Sequence, residues 1–145
     1  MPSGSAVELI DYGPSPSTIG SSMTATFNHI IIPANDAEVS AAYYRNLLEI
    51  VDAPSWGPFA NLIMSNGVLL QFAKAPTTFD SLHFAFLVDD EHFDRSLAAL
   101  VESRTEYWGD PQRSHNEICH EDGGRALYVL DPGGHLVELL TRPYV

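Results

Sequence analysis

Basic residues and cysteines are both scarce in this sequence. Its 145 residues include 7 Lys+Arg against 19 Asp+Glu, which gives a formal net charge of −12 at pH 7. Nucleic acids and anionic membranes attract cationic proteins, so this balance argues against both as partners and leaves small molecules or proteins. The single cysteine, Cys119, excludes an internal disulfide, as is usual in a reducing compartment.

Long hydrophobic runs are also missing. The longest apolar stretch lies around Phe27–Pro33, far short of the roughly 20 residues that a membrane helix needs. The first residues lack the basic-then-apolar order of a signal peptide. We therefore expect a soluble, cytoplasmic protein whose length suits one globular domain.

The N-terminal part of the chain differs in composition from the rest. Residues 1–23 are rich in Ser, Pro and Gly, which predicts a tail that is either a cloning remnant or an extension. Regular hydrophobic patterns begin at Thr24. We therefore predict a single domain over residues 24–145, made of two modules at 24–78 and 79–145.

Each predicted module has a strand, a helix and then further strands. Helices are predicted after Asp36 and after Asp89-Asp90, where a capping residue precedes apolar residues at helical spacing. Asn66-Gly67 between two short strands indicates a hairpin turn. The predicted strands are Phe27–Ile32, Phe59–Met64, Val68–Phe72, Leu82–Val88, Arg104–Trp108, Arg125–Leu130 and His135–Leu140.

A shift of 54 residues relates the two halves. It superposes a strand residue, a helix cap and two helix-face residues: His29 on His83, Asp36 on Asp90, Val39 on Phe93 and Tyr43 on Leu97. We interpret this as an internal duplication of a βαβββ module. The duplication predicts an α+β fold in which two sheets meet edge to edge as one concave mixed sheet covered by helices.

Strand alternation predicts one polar residue on the concave face of each of four strands. His29, Gln71, His83 and Glu138 are each flanked by apolar residues that would face the helices. Two imidazoles and one carboxylate form the ligand set of a facial triad. We therefore predict that His29, His83 and Glu138 bind a divalent metal ion, which could be Fe²⁺, Mn²⁺, Zn²⁺, Ni²⁺ or Co²⁺.

Other interpretations of these polar residues remain open. Both triad histidines could be structural, with Glu138 paired to Arg125 or Arg142. A carboxylate buried at a central strand position without a partner is costly, which favours the metal site.

The remaining histidines are weaker candidates. His92 and His135 are expected on the solvated surface, whereas His115 or His120 could supply an acid or base from a loop that covers the substrate. Cys119 beside His120 does not predict a nucleophilic pair, since adjacent side chains point apart.

Three motifs mark the beginning of each module and the end of the chain. They are Phe27-Asn28-His29-Ile30 with Tyr43-Tyr44-Arg45-Asn46-Leu47-Leu48, Leu82-His83-Phe84-Ala85-Phe86 with Val88-Asp89-Asp90, and Tyr128-Val129-Leu130-Asp131-Pro132-Gly133-Gly134-His135-Leu136-Val137-Glu138-Leu139. Together they resemble the vicinal oxygen chelate superfamily, the group of glyoxalases, bleomycin-resistance proteins and ring-cleaving dioxygenases. The resemblance spans Phe27 to Tyr144 and implies the glyoxalase/bleomycin-resistance fold with His29, His83 and Glu138 as metal ligands.

The resemblance also implies a metal-dependent enzyme, glyoxalase-like or dioxygenase-like, that chelates two neighbouring oxygens of a small substrate. Tyr128 would donate a hydrogen bond to a substrate oxygen. Gln71 would be a fourth ligand or a substrate contact, at the place where glyoxalase I commonly has a glutamate. Fosfomycin-modifying transferases share the triad and Tyr128, but their lysine and serine pattern is lacking around Ile118, Asp122 and Ala126. The short tail after Glu138 also lacks their anion-binding segment.

Two further expectations concern partners. Because modules of this type need partners for their sheet edges, we expect a homodimer. The alternative to an enzyme is a protein that binds a drug or natural product without catalysis. Its aromatic walls would be Trp56, Phe59, Tyr107 and Trp108.

Overall fold

Two helices and seven strands occur in the residues that the computed structural model describes, 24–121 and 123–145. The predicted tail, 1–23, lies outside the described residues. No helix in the described ranges is long and apolar enough to cross a membrane. The elements in chain order are β1 (His29–Ala34), α1 (Ala37–Leu48), β2 (Val51–Asp52), β3 (Ala60–Ile63), β4 (Leu69–Lys74), β5 (His83–Leu87), α2 (Asp90–Glu102), β6 (Ala126–Leu130) and β7 (Leu136–Leu140).

Each helix begins directly after a capping aspartate: Asp36 caps α1 as predicted, whereas α2 is capped by Asp89 and not by Asp90, the residue that the 54-residue shift aligns with Asp36. Asp36 Oδ1 accepts hydrogen bonds from the backbone N–H groups of Glu38 and Val39 at 3.0 and 3.1 Å. Asp89 Oδ1 accepts one from the backbone N–H of His92 at 2.8 Å. The first N–H groups of a helix have no partner within it, so these carboxylates fix where each helix starts.

The strands form two separate mixed sheets. The first has the order β1-β4-β3-β2 and the second β5-β7-β6. In each sheet the first strand is parallel to its neighbour, and the remaining pairs are antiparallel. The predicted α+β class is confirmed. The expected edge-to-edge meeting of the sheets is not formed within one chain, because β1 and β5 each end their own sheet.

One predicted strand is wrong. Arg104–Trp108 was expected to be extended, but Arg104 has φ of 56°, in the left-handed region that interrupts a strand. Only Trp108 pairs, through an isolated bridge to Tyr128 on β6. The other predicted strands are present with bounds within two residues of those expected.

The turn between β3 and β4 is the predicted hairpin. Gly67 has φ of 88°, where a side chain would strain the backbone, and its N–H donates to Met64 O at 2.8 Å. The N–H of Met64 donates to Val68 O at 2.9 Å. This turn sets a register in which Asn61 of β3 pairs with Gln71 of β4.

A shared core joins the two halves of the chain. Tyr44 of α1 lies with its ring centroid 4.9 Å from that of Phe72 and 6.3 Å from that of Phe86, so a helix of the first half packs on a strand of the second. The largest fully buried side chains come from both halves: Tyr44, Phe72, Phe93, Ile32, Leu62, Leu127, Leu139, His135, Glu138, Val129 and Val137.

Buried polar groups also connect the two halves of the chain. Asp131 accepts a hydrogen bond from the Tyr44 hydroxyl at 2.6 Å and another from the backbone N–H of His135 at 2.8 Å. His135 Nε2 donates to Pro33 O at 2.8 Å, and its Nδ1 accepts from the N–H of Leu82 at 2.9 Å. The expectation of a solvated His135 is therefore wrong: it is 0% exposed and bonds both halves.

The helices also meet directly. Arg95 of α2 donates to Glu49, beyond α1, at 2.7 and 2.8 Å, and this pairing lowers the pKa of Glu49. His92 Nε2 lies 2.7 Å from Leu47 O. The side chain of His92 is 12% exposed, so its predicted place on the solvated surface is also wrong. The helical spacing in the sequence did not indicate that α1 would lie against the His92 side chain.

Candidate metal centre

Glu138 and His83 are the two predicted ligands that the fold brings together. Glu138 lies on β7, and His83 begins β5, which runs parallel to β7. His83 Nε2 is 3.2 Å from Glu138 Oε1. The imidazole side chain is 46% exposed and the carboxylate side chain 2%. The pair therefore combines a buried acidic side chain with an imidazole that remains open to solvent.

Tyr144 contacts the second oxygen of the same carboxylate. Its hydroxyl donates to Glu138 Oε2. This hydrogen bond is the main cause of a raised pKa at Tyr144, which keeps the phenol protonated. The sequence did not predict Tyr144 as a site residue, because a tyrosine beyond the last strand has no periodic neighbours to assign it a face. The position of Tyr144 beside Glu138 depends on the path that the chain takes after β7.

Tyr128 lies beside both residues. It occupies β6 in register with Glu138 and is 6% exposed. Its ring centroid is 5.8 Å from that of His83 in an edge-to-face arrangement. Burial, followed by hydrogen bonding with Tyr144 and the charge of Glu138, raises the pKa of Tyr128, so its hydroxyl is a neutral donor. Tyr128 thus lies beside the His83–Glu138 pair, and its predicted hydrogen bond to a substrate oxygen stays a prediction.

A pocket of about 200 Å³ opens beside the two tyrosines. Tyr128 and Tyr144 line it together with Cys119 and Arg142. Gly109 also borders it, and a Cβ there would lie 2.3 Å from Glu117 O, so the loop can close only on a glycine. Ligand pockets are more often about 300–1,000 Å³, so this pocket is smaller than a typical ligand site.

His29 lies apart from this group. It begins β1, at the edge of the first sheet, and its Nδ1 is 2.8 Å from Asn28 Oδ1. Within residues 24–121 and 123–145, no group of three or more His, Cys, Asp or Glu side chains could hold one metal ion. One chain therefore places two of the three predicted ligands together and the third on the edge of a different sheet.

The first sheet repeats the register of the second with different side chains. Across the first sheet the paired residues are Ile31, Gln71 and Asn61, and across the second they are Ala85, Glu138 and Tyr128. The 54-residue shift relates Ile31 to Ala85. Gln71 and Asn61 therefore occupy the positions of Glu138 and Tyr128.

Two buried carboxamides result from this correspondence. Gln71 is 4% exposed and Asn61 2%. Asn61 Nδ2 donates to Pro54 O at 2.8 Å, which fixes the orientation of the amide and leaves Oδ1 as an acceptor. Asn61 Oδ1 is buried and has no hydrogen-bond partner in the described part of the chain. Asn61 was not predicted from the sequence.

Arg125 and Arg142 were considered as partners of Glu138. Among the described residues, both contact other groups instead. Arg125 forms ion pairs with Asp90 and Asp94 of α2 at 2.9 and 2.7 Å. Arg142 donates through Nε to a backbone carbonyl of the preceding loop at 3.0 Å. The ion-pair alternative for Glu138 therefore lacks the contacts it requires.

The four predicted wall aromatics fall in two places. Trp56 is 54% exposed and packs edge to face on Phe59, with ring centroids 6.4 Å apart, in the segment before β3. Trp108 is buried beside β6, where the Arg113 guanidinium lies 5.5 Å from its ring centroid. Tyr107 packs against the core. These residues do not form one wall within the chain.

Several known proteins are similar to this chain, although no protein-family model matches it. The solved structure of the oxidase ChaP-H2 is 39% identical, with a TM-score of 0.80 over 84% of this chain and 97% of that chain. The glutathione transferase FosA of Serratia marcescens is 26% identical over 123 residues, 81% of each chain. The metallothiol transferase FosB of Lysinibacillus sphaericus is 23% identical over 121 residues, 80% of this chain and 82% of its own.

Proposed function

The chain belongs to the vicinal oxygen chelate superfamily, and we propose that it is a metal-dependent oxidase acting on a small molecule. The observation that carries this proposal is the buried Glu138 within 3.2 Å of the accessible imidazole of His83. The choice of an oxidase follows the similarity to ChaP-H2, which exceeds that to the two transferases.

The residues of the second sheet fit a divalent cation. The carboxylate of Glu138, a residue that is 1% exposed, is costly to bury without compensating charge. A cation between Glu138 and His83 would compensate it, and an oxygen with an imidazole nitrogen suits Fe²⁺, Mn²⁺, Zn²⁺, Ni²⁺ or Co²⁺. When bound, the metal would supply Lewis acidity toward two neighbouring substrate oxygens and a redox centre for reaction with O₂.

The third ligand in this proposal is His29 of a second copy. Among the described residues, β1 and β5 each lie at the end of a sheet, and they expose apolar side chains that include Ile31 at 50% and Leu87 at 61%. Pairing β1 of one copy with β5 of the other would cover these edges and complete a site of His29, His83 and Glu138. A two-fold axis would generate two identical sites.

The other site residues have separate roles in the proposal. The Tyr128 hydroxyl, which burial keeps protonated, donates a hydrogen bond to a substrate oxygen next to His83. Gln71 contacts the metal or the substrate from the first sheet. An amide does not titrate, so Gln71 cannot act as a general base. This favours oxidase chemistry over a proton transfer of the glyoxalase type.

Metal content is the first test of this proposal. Protein purified without chelator should contain about one divalent ion per subunit, and Glu138→Ala should lose it while its circular dichroism is unchanged. Fe²⁺-loaded protein should then consume O₂ in the presence of a catechol, a probe that carries two neighbouring oxygens. Equal metal content in wild type and variant would refute the site, and a metal-free wild type would favour the non-catalytic binding protein.

Complementation tests whether two copies share each site. His29→Ala and Glu138→Ala should each abolish metal binding alone. Their co-expressed mixture should recover about a quarter of the wild-type metal content, because half of the dimers are mixed and each mixed dimer keeps one of two sites. A mixture without metal, or a monomer by light scattering, would contradict the shared site.

A further inference from the structure

The two oxygens of Glu138 face different partners. Oε1 lies 3.2 Å from His83 Nε2, whereas Oε2 accepts the hydrogen bond of Tyr144. A glutamate can bind a metal through one oxygen or through both, and its long side chain rotates freely unless a neighbour holds it. The contact with Tyr144 removes that freedom and leaves Oε1 on the side of His83.

We propose that Tyr144 is a positioning residue that holds Glu138 as a ligand through one oxygen. This inference rests on the proposed function, because it assumes that Glu138 binds a metal. Hydrogen bonds to ligand side chains orient them and tune their affinity for the metal. Tyr144 would act on the metal through Glu138 and is not itself a ligand in this proposal, although it also hydrogen-bonds Tyr128.

Packing of the C-terminal segment keeps Tyr144 in place. Thr141 and Arg125 exchange hydrogen bonds: the backbone N–H of Thr141 donates to Arg125 O at 3.0 Å, and that of Arg125 donates to Thr141 Oγ1 at 2.9 Å. Arg142 lies across Gly124, where a Cβ would come within 2.9 Å of its side chain. The segment therefore leaves β7 along a fixed path that returns the Tyr144 hydroxyl to Glu138.

The exposure of Tyr144 indicates that its hydroxyl matters more than its ring. The residue is 67% exposed, so its ring adds little to the buried core. Its hydroxyl nevertheless reaches a carboxylate of a residue that is 1% exposed. Removal of this hydroxyl should therefore change the carboxylate and leave the rest of the fold intact.

Tyr144→Phe removes the hydroxyl and keeps the ring. We expect the dissociation constant for Co²⁺, measured by calorimetry on the full-length protein, to rise about 10- to 100-fold, as for other outer partners of metal ligands. The visible absorption of bound Co²⁺ should also change, because Glu138 could then bind through both oxygens. The circular dichroism of the metal-free protein should stay the same, while its melting temperature should fall, because the buried Glu138 Oε2 loses its hydrogen-bond partner.

Tyr107→Phe is the matched control. Tyr107 is a half-buried tyrosine that packs against the core, and its substitution should leave the Co²⁺ affinity and spectrum unchanged. Deletion of residues 144–145 should reproduce the loss seen with Tyr144→Phe.

The other outcomes are distinguishable. An unchanged Co²⁺ affinity and spectrum in Tyr144→Phe would make Tyr144 merely structural, and a tighter affinity would mean that it competes with the metal for Glu138. Either result overturns the inference and leaves the proposed function intact. Wild-type protein that binds no Co²⁺ would instead refute the proposed function, and the role of Tyr144 with it.

Discussion

The two sheets share a strand register but differ in the chemistry of the side chains that it aligns. The second sheet aligns a carboxylate with a phenol, Glu138 with Tyr128, whereas the first aligns two carboxamides, Gln71 with Asn61. All four residues are at most 6% exposed. The duplicated backbone therefore fixes where polar groups lie, and the side chains decide which sheet can hold charge.

The two sheets also differ in whether the oxygens of these buried side chains have hydrogen-bond partners. Both oxygens of Glu138 have partners, His83 and Tyr144. Among the residues that the structure describes, Asn61 Oδ1 in the first sheet has none. An unpaired buried amide oxygen costs about 1–3 kcal/mol and an unpaired charge more, so only the charged sheet requires a full set of partners. In the proposed site, the second sheet would therefore supply the charged ligands, while the first would supply His29 and neutral contacts.

Glu138→Gln makes the second sheet resemble the first and should have the largest effect. A neutral amide is a weaker ligand than a carboxylate, so the Co²⁺ dissociation constant should rise by more than about 100-fold, beyond the 10- to 100-fold typical of outer-partner changes. Calorimetry measures this, and circular dichroism checks the fold. An affinity within a few-fold of wild type would mean that the carboxylate does not distinguish the sheets.

Alkaline pH tests the buried tyrosines that connect the two halves of the chain, where Tyr44 donates to Asp131 and Tyr43 donates to Leu130 O. Burial raises the pKa of Tyr43 from 10 to about 12, and burial with the charge of Asp131 raises that of Tyr44. Folding therefore favours the protonated phenols, and this stabilisation is complete below pH 10 and declines as the pH rises through 12. The free energy of unfolding from denaturant titrations should follow that course, with a weaker dependence in Tyr44→Phe. Equal pH dependence in both proteins would mean that the buried Tyr44 phenol does not contribute to this stabilisation.

Gln71→Glu makes the reverse exchange and should have a smaller effect. A second carboxylate in the completed site would tighten Co²⁺ binding about tenfold through added negative charge. It should not create useful hemithioacetal isomerisation, although a well-placed base typically contributes about 10²–10⁴-fold in rate. A gain in that range, followed by absorbance of the thioester product, would show a glyoxalase scaffold with a disabled base and would overturn the preference for an oxidase.

Local sequence signals predicted most of the strands and both helices, because strand alternation and helix caps depend on residues that are neighbours in the sequence. The core-facing Ile32, the cap at Asp36 and the strand position of Glu138 all follow from such signals. His135 and Tyr144 do not, because their partners lie in other elements. The same limit applies to His29, whose place relative to the other predicted ligands depends on how sheet edges meet, which no local pattern encodes.

Asn61→Leu should have the smallest effect and tests the neutral sheet directly. The substitution loses the hydrogen bond from Nδ2 to Pro54 O, worth about 0.5–1.5 kcal/mol, and removes an unpaired acceptor that costs about 1–3 kcal/mol. The backbone N–H of Asn61 keeps its bond to Ser55 Oγ at 3.2 Å. The free energy of unfolding should therefore stay within about 1 kcal/mol of wild type, or rise.

Tyr128→Leu is the control for Asn61→Leu at the equivalent position of the second sheet. It removes a buried ring that packs beside His83 and hydrogen-bonds near Glu138, so it should destabilise the fold by about 2 kcal/mol or more. Denaturant titrations of both variants give the comparison. A loss above about 2 kcal/mol in Asn61→Leu would mean that Oδ1 has a partner in solution, since a paired buried acceptor is costly to remove. The first sheet would then hold a bound water or ligand of its own, and the division between a charged and a neutral sheet would fail.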